Sequence, residues 1–253
     1  METKTENLCN LARQLKLTGA GGVINDLLIS AQQKQISYLD FAFGLFNAEI
    51  DHRNQQNLAK RLRNAKLPAN HDLELWQENQ LGGISRKQVT QLRECIWLEQ
   101  NFNIILMGPS GTGKTFIAAG LCYEALLKGY KACFRSMEQL NHLLKMKDIT
   151  KSAAREYMVL LNADLLVIDD IMMFPIERKQ SVTLFNLIDH LHQNASIVVT
   201  TNKSPDEWVK VLDDEVLAAA ILDRLLFKCE VVKLSGKSYR LENRKTIFEN
   251  DAL

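Results

Sequence analysis

The stretch Gly108-Pro109-Ser110-Gly111-Thr112-Gly113-Lys114-Thr115 restricts the possible folds more than any other part of this chain. It follows the short apolar run Asn103-Ile104-Ile105-Leu106 and matches G-x-x-x-x-G-K-[ST]. Such a loop works only between a strand and a helix, because its backbone N–H groups and those of the first helical turn must converge on phosphate oxygens. Its glycines let the backbone come close and take positive φ. Lys114 brings a positive charge to the β and γ oxygens, and the Thr115 hydroxyl is suited to ligating Mg2+. A strand should therefore end near residue 107 and a helix begin near 114.

The flanking sequence agrees. Short apolar runs at 103–107, 131–136, 165–169, 196–201 and 229–234 alternate with helical patterns at 114–128, 137–161, 178–192 and 213–227. Strands too apolar to have a wet face, alternating with helices, predict a parallel five-stranded sheet covered on both sides, an α/β fold. The first third reads differently. Helical periodicity over 7–17 and 23–34 is separated by Gly19-Ala20-Gly21-Gly22, which should break it. Ser37, with Asp40 three residues on, is an N-cap for a long segment carrying Leu39, Phe43, Phe46, Ile50 and Leu58, which Pro68 closes. A small all-helical domain over 1–67 thus precedes a larger domain over 68–253. Residues 68–83 read as a linker or strapping segment, and Ser85 caps a helix reaching residue 100.

Three further pieces fit the phosphate loop. Leu165-Leu166-Val167-Ile168-Asp169-Asp170 ends a buried strand in two acids, so Asp169 falls on the rim that carries the loop, on the side of the magnesium. Asp170 can then orient or deprotonate a water that attacks the γ-phosphate. Ile197-Val198-Val199-Thr200-Thr201-Asn202 ends in an amide able to hydrogen-bond both the γ-phosphate and that water. Asp223-Arg224-Leu225 lies at the end of an amphipathic helix.

These pieces, in this order, resemble an AAA+ ATPase with its P-loop core. Ser196–Trp208 as a run, Asp223-Arg224-Leu225-Leu226 and Gly236-Lys237-Ser238-Tyr239-Arg240 narrow the likeness to the IstB/DnaC group. Within that group, Ser37-Tyr38-Leu39-Asp40-Phe41, Arg53-Asn54-Gln55-Gln56 and Arg61-Leu62-Arg63-Asn64-Ala65-Lys66-Leu67-Pro68 are similar to the helical domain of IstB-like transposition helper ATPases. The resemblance implies ATP as ligand, with Asn202 as sensor 1 and Arg240 at the sensor-2 position. It makes Arg224 an arginine finger acting in trans within a homo-oligomer, and it leaves a C-terminal lid reduced or absent. It also implies assembly on duplex DNA, remodelling of that DNA, and recruitment and stimulation of an IstA-like transposase. A helicase loader of the DnaC type shares the ATPase motifs and is the alternative; an ATP-gated scaffold without turnover is another. Asp170 stands where many AAA+ proteins carry glutamate, and Pro109-Ser110 where Pro-Pro is common.

Composition narrows the remaining choices. A formal charge of +1 predicts no polyanion partner by itself, but Arg53, Lys60, Arg61, Arg63 and Lys66 cluster, as do Lys145, Lys147, Lys151 and Arg155. Either set could contact DNA phosphates without reading sequence, and either also fits a solvated helix face. No apolar run approaches membrane-spanning length and no signal-peptide core follows Met1, so a cytoplasmic protein without membrane contact is expected. The five cysteines are scattered through apolar surroundings and suggest neither a disulfide framework nor zinc. The five histidines show no metal spacing with them.

Overall fold

A computed structural model describes residues 4–75, 82–173, 176–212, 214–242 and 244. Contacts divide the chain into two units, Met1–Lys60 and Arg61–Leu253.

In the first unit, α1 (Lys4–Gln14) is followed by α2 (Thr18–Lys34) and by α3 (Tyr38–Ala65), whose last turn runs into the second unit. The Ser37 cap forms: the Asp40 N–H donates to Ser37 Oγ at 3.1 Å, and Ser37 Oγ donates to Asp40 Oδ2 at 2.7 Å. The glycine run does not break the chain as its composition predicts; it forms the first turns of α2. Tertiary packing overrides propensity here. Glu49 Oε2 on α3 accepts from the Gly19 and Ala20 N–H groups at 2.8 and 3.0 Å, satisfying donors that a helix N-terminus leaves unpaired. α3 also lies so close that a Cβ on Gly19 would sit 2.4 Å from His52 Cβ. Arg53 Nε holds Glu49 Oε1 at 2.6 Å, and this bond, joined by the Ala20 amide, keeps the carboxyl below its ordinary range. Leu39, Phe43, Phe46 and Ile50 form an exposed stripe on α3.

The second unit is built on one parallel sheet of β1 (Asn103–Met107), β2 (Ala132–Ser136), β3 (Leu165–Asp169), β4 (Ser196–Thr201) and β5 (Cys229–Lys233), in the order β2-β3-β4-β1-β5. Leu73, at the start of the 3-10 turn Leu73–Leu75, is buried and straps the chain down before the core begins. A capping box of Ser85 and Gln88 starts α4 (Arg86–Arg93). The helix expected to reach residue 100 instead breaks at Cys95 (φ 58°), where Trp97 Nε1 turns back to donate to the Leu92 carbonyl, and α5 (Ile96–Glu99) resumes it. Then come β1 (Asn103–Met107), α6 (Lys114–Leu127), β2 (Ala132–Ser136), α7 (Met137–Met146) and α8 (Lys151–Leu161). The pattern over 137–161 predicts one helix, but Thr150 accepts from the Ala153 N–H at 3.2 Å and starts a second.

Beyond these lie β3 (Leu165–Asp169), α9 (Arg178–Leu191), β4 (Ser196–Thr201), α10 (Pro205–Leu212), α11 (Glu215–Leu226), β5 (Cys229–Lys233) and α12 (Tyr239–Glu242). Sequence periodicity did not reveal α10. Strands β1 to β4 are almost wholly buried, as apolar strands in a covered sheet should be, whereas the edge strand β5 exposes Glu230, Val231 and Lys233. Buried Arg135 on β2 ties the end of α3 to this unit: Nη1 and Nη2 donate to the Ala65 and Asn64 carbonyls at 2.9 and 3.2 Å, and Nε to Glu156 at 2.9 Å. Among the described residues, no helix is long and apolar enough to cross a membrane.

Candidate nucleotide site

All strands are parallel, so the ends of β1, β3 and β4 share one rim, and the segments leaving them meet there. The Gly108–Thr115 loop leaves β1 and enters α6, with Gly113 in a left-handed conformation at the helix N-cap. Its first N–H, from Gly108, donates to the Thr201 carbonyl at 3.2 Å. Thr112 Oγ1 closes the loop on the Pro109 carbonyl at 2.8 Å. Pro109 and Ser110 are exposed.

Lys114 is nearly buried, and its Nζ donates to the Gly108 and Pro109 carbonyls at 2.9 and 2.8 Å. Burial lowers its pKa; the carboxylates of Asp170 and Asp169 counter this, and the charge of Arg240 adds to it. Thr115 Oγ1 reaches Asp169 Oδ1 and Oδ2 at 2.9 and 3.1 Å, so the first turn of α6 and the end of β3 are joined. Burial raises the pKa of Asp169, against hydrogen bonds from Thr200 and Thr115.

Thr200, fully buried on β4, connects the two acids. Its Oγ1 donates to Asp169 Oδ1 at 2.6 Å and accepts the Asp170 N–H at 2.8 Å. Asp170 has φ 54°, a conformation that a non-glycine residue keeps only when its surroundings hold it. Its side chain is exposed on the rim, and exposed Asn202 follows the end of β4 on that same rim. The spacing argument missed Thr200; the available signal was a hydroxyl directly after the apolar run Ile197-Val198-Val199.

A second missed residue is Ser238. After β5 the chain folds back over the loop: the Tyr239 N–H donates to the Gly111 carbonyl at 3.0 Å. Gly111 has φ 85°, and a Cβ there would lie 2.1 Å from Ser238 Oγ, so no other residue fits without displacing the strap. This strap carries Arg240 near enough for its charge to be felt at Lys114.

Arg224 does not join this group. It lies in the last turn of α11, where its carbonyl and that of Leu225 accept from Asn103 Nδ2 at 3.4 and 3.0 Å. Asn103 opens β1, so Arg224 sits at the opposite rim from the phosphate loop. The five residues of β1 span about 17 Å. Four of the nine basic residues considered for DNA contact have protein partners: Arg53 with Glu49, Lys66 with Glu156, Lys145 with Glu177 and Lys147 with Asp148. Arg61 is half-buried with its Nε unpaired. Among the described residues, Lys60, Arg63, Lys151 and Arg155 are exposed and make no ion pair.

The donor chemistry suits magnesium. A threonine hydroxyl beside one buried carboxylate gives hard oxygen ligands, and Mg2+ typically completes its shell with water and substrate phosphates. Among the described residues no cluster of three His, Cys, Asp or Glu side chains could form an all-protein metal cage.

The chain matches the model of the family described as IstB-like ATP binding protein over residues 10–247. An insertion sequence IS21-like ATP-binding protein of Bacteroides fragilis is 41% identical over 245 residues, covering 97% of this chain and 93% of that one. The insertion sequence IS21 ATP-binding protein of Pseudomonas aeruginosa is 32% identical, covering 93% and 89%. Among solved structures, the DnaC helicase loader superposes with TM-score 0.54 at 18% identity over 66% of this chain and 98% of its own. AMPPCP-bound DnaA from Aquifex aeolicus gives 0.53 at 17% identity over 69% and 53%. These structural likenesses concern the fold, which is that of the AAA+ P-loop proteins.

Proposed function

The chain belongs to the IstB-like ATP-binding protein family, and from that premise we propose that it is an AAA+ ATPase that assembles on duplex target DNA, remodels it, and recruits and stimulates the transposase of its insertion sequence. The observation that supports its ATPase part is the Thr115–Asp169–Thr200–Asp170 chain of hydrogen bonds beside Lys114, which brings three segments of one rim together; the DNA and transposase parts rest on the insertion-sequence relatives.

In this reading the backbone of residues 108–115 and the Lys114 ammonium bind the β and γ phosphates of ATP. Thr115 and Asp169 would hold Mg2+, which when bound neutralises charge on those phosphates. Asp170 orients the attacking water or takes its proton, and the Asn202 amide donates to the γ-phosphate. Arg240 adds a positive charge from the strap. Arg224 serves the site of a neighbouring protomer, where such an arginine contributes roughly 10³ to 10⁵ in rate. Segment 1–67 contributes to assembly or DNA binding and 68–253 to ATP turnover, with Lys60, Arg63, Lys151 and Arg155 the basic side chains best able to meet phosphates.

Phosphate release tests this directly. ATP turnover should rise when duplex DNA is added and should vanish in Lys114→Ala and Asp170→Asn. Turnover stimulated by single-stranded but not duplex DNA would favour a helicase loader, and no turnover in any condition would leave a scaffold.

A further inference from the structure

We propose that Asp189, together with Phe185 one turn earlier on α9, is the positioning element for the Arg224 guanidinium. The inference rests on the reading of Arg224 as a finger and asks what aims it.

Arginine has five N–H donors in a planar fork. Here Nε donates to Asp189 Oδ1 at 2.6 Å, and Nη1 donates to the Ala220 carbonyl at 3.2 Å. The guanidinium carbon lies over the Phe185 ring, 4.7 Å from its centroid, a cation–π contact that adds a second hold on the group. Asp189 therefore holds the guanidinium at Nε, and Asp223 Oδ2 lies 3.8 Å from Nη1.

The backbone beneath is fixed as well. His192 Nδ1 lies 2.9 Å from the Arg224 carbonyl, and Asn103 Oδ1 accepts the Ile197 N–H at 2.8 Å while its Nδ2 reaches the end of α11. The end of α9 and the start of β1, itself held by β4, thus fix the backbone of α11 at Arg224. Asp189 is about half exposed, so its ion pair adds little to stability. Its value lies in orientation, and removing its charge should leave the fold intact.

The test uses mixed assemblies. Asp170→Asn protomers keep Arg224 and donate the finger; Arg224→Ala protomers keep an intact site. If the finger acts in trans, the mixture hydrolyses ATP on duplex DNA where neither variant does so alone. Asp189→Asn added to the finger donor should then lower kcat roughly tenfold with KM for ATP unchanged, since a misplaced group loses rate rather than ground-state binding. The same change in the site donor should have no effect. Equal losses in both arms would mean a merely structural role. An unchanged or increased rate in the finger donor would overturn the proposal, the increase identifying Asp189 as a latch. Full turnover by Arg224→Ala alone would instead remove the finger reading itself.

Discussion

Replacing Thr200 by valine preserves shape and strand preference and removes only a hydroxyl, yet it should be one of the most damaging changes in the larger unit. The hydroxyl makes a charge-assisted bond of 2.6 Å to Asp169 and accepts the Asp170 amide at 2.8 Å. Loss of the first removes about 1.5–3 kcal/mol, and leaving the second donor unpaired costs a further ~1–3 kcal/mol. Some relaxation is expected, so the net loss should be about 3–5 kcal/mol, or roughly 6–20 °C in Tm for a unit of this size. Thr200→Ser is the control: it keeps both bonds and loses one buried methyl, about 1 kcal/mol. The left-handed Asp170 backbone also loses the bond that holds it, so turnover should fall in the valine variant even at temperatures where it stays folded. Thermal unfolding and phosphate release, run on both variants, read the two effects separately. If valine proves within about 1 kcal/mol of serine, the hydroxyl does not organise the acids and the argument fails.

Three other outcomes are expected. Gly111→Ala should destabilise the strap by about 1–2 kcal/mol from positive φ alone and weaken ATP binding, with Ser238→Gly recovering the steric part; calorimetric titration of single and double variants checks this. Glu49 is held below its ordinary carboxylate value, so its contribution is complete above that value and is lost as pH falls through the depressed one. Protection of the Gly19 and Ala20 amides, read against their intrinsic exchange rates, should fall across that acid window, and Glu49→Gln should show lowered protection already at neutral pH. Replacing Lys60 and Arg63 by alanine should weaken duplex binding alike for all sequences and reduce the salt slope by about 2; an unchanged slope would exclude this face of α3.

The phosphate loop, the alternation of strands and helices and the rim position of Asp169 were legible because each depends on local pattern: a motif of fixed spacing, and apolar runs ended by acids. What was hidden depends on groups distant in sequence. Gly19 to Gly22 read as a break because nothing local reveals that Glu49, thirty residues on, caps their amides. Thr200 read as a strand end because its role exists only once β3 and β4 pair in register, with Ile168 opposite Val199. The split between α7 and α8 was local, at the Thr150 cap, but was masked by apolar residues on both sides that continue a helical period. Arg135 could not be read at all: a buried arginine in a strand acquires its purpose from the carbonyls of Asn64 and Ala65, which only the folded chain brings to it.

The two rims of the sheet give the proposed function its physical logic. Lys114, Asp169 and Asp170 belong to the rim where the strands end, and Arg224 to the rim where they begin, about 17 Å away along β1. No rotamer change spans that distance, so an arginine finger at 224 can act only on a neighbour. In the proposed assembly the contact that delivers it would join the starting rim of one protomer to the finishing rim of the next and would therefore be head-to-tail. Interfaces of that kind repeat until they close into a ring or continue as a helix. Duplex DNA is itself a helical polyanion with a regular charge repeat, and a helical or ring-like succession of protomers can follow it with the same contact at each step. Under this arrangement each added protomer completes the site of the one before, and hydrolysis counts assembly.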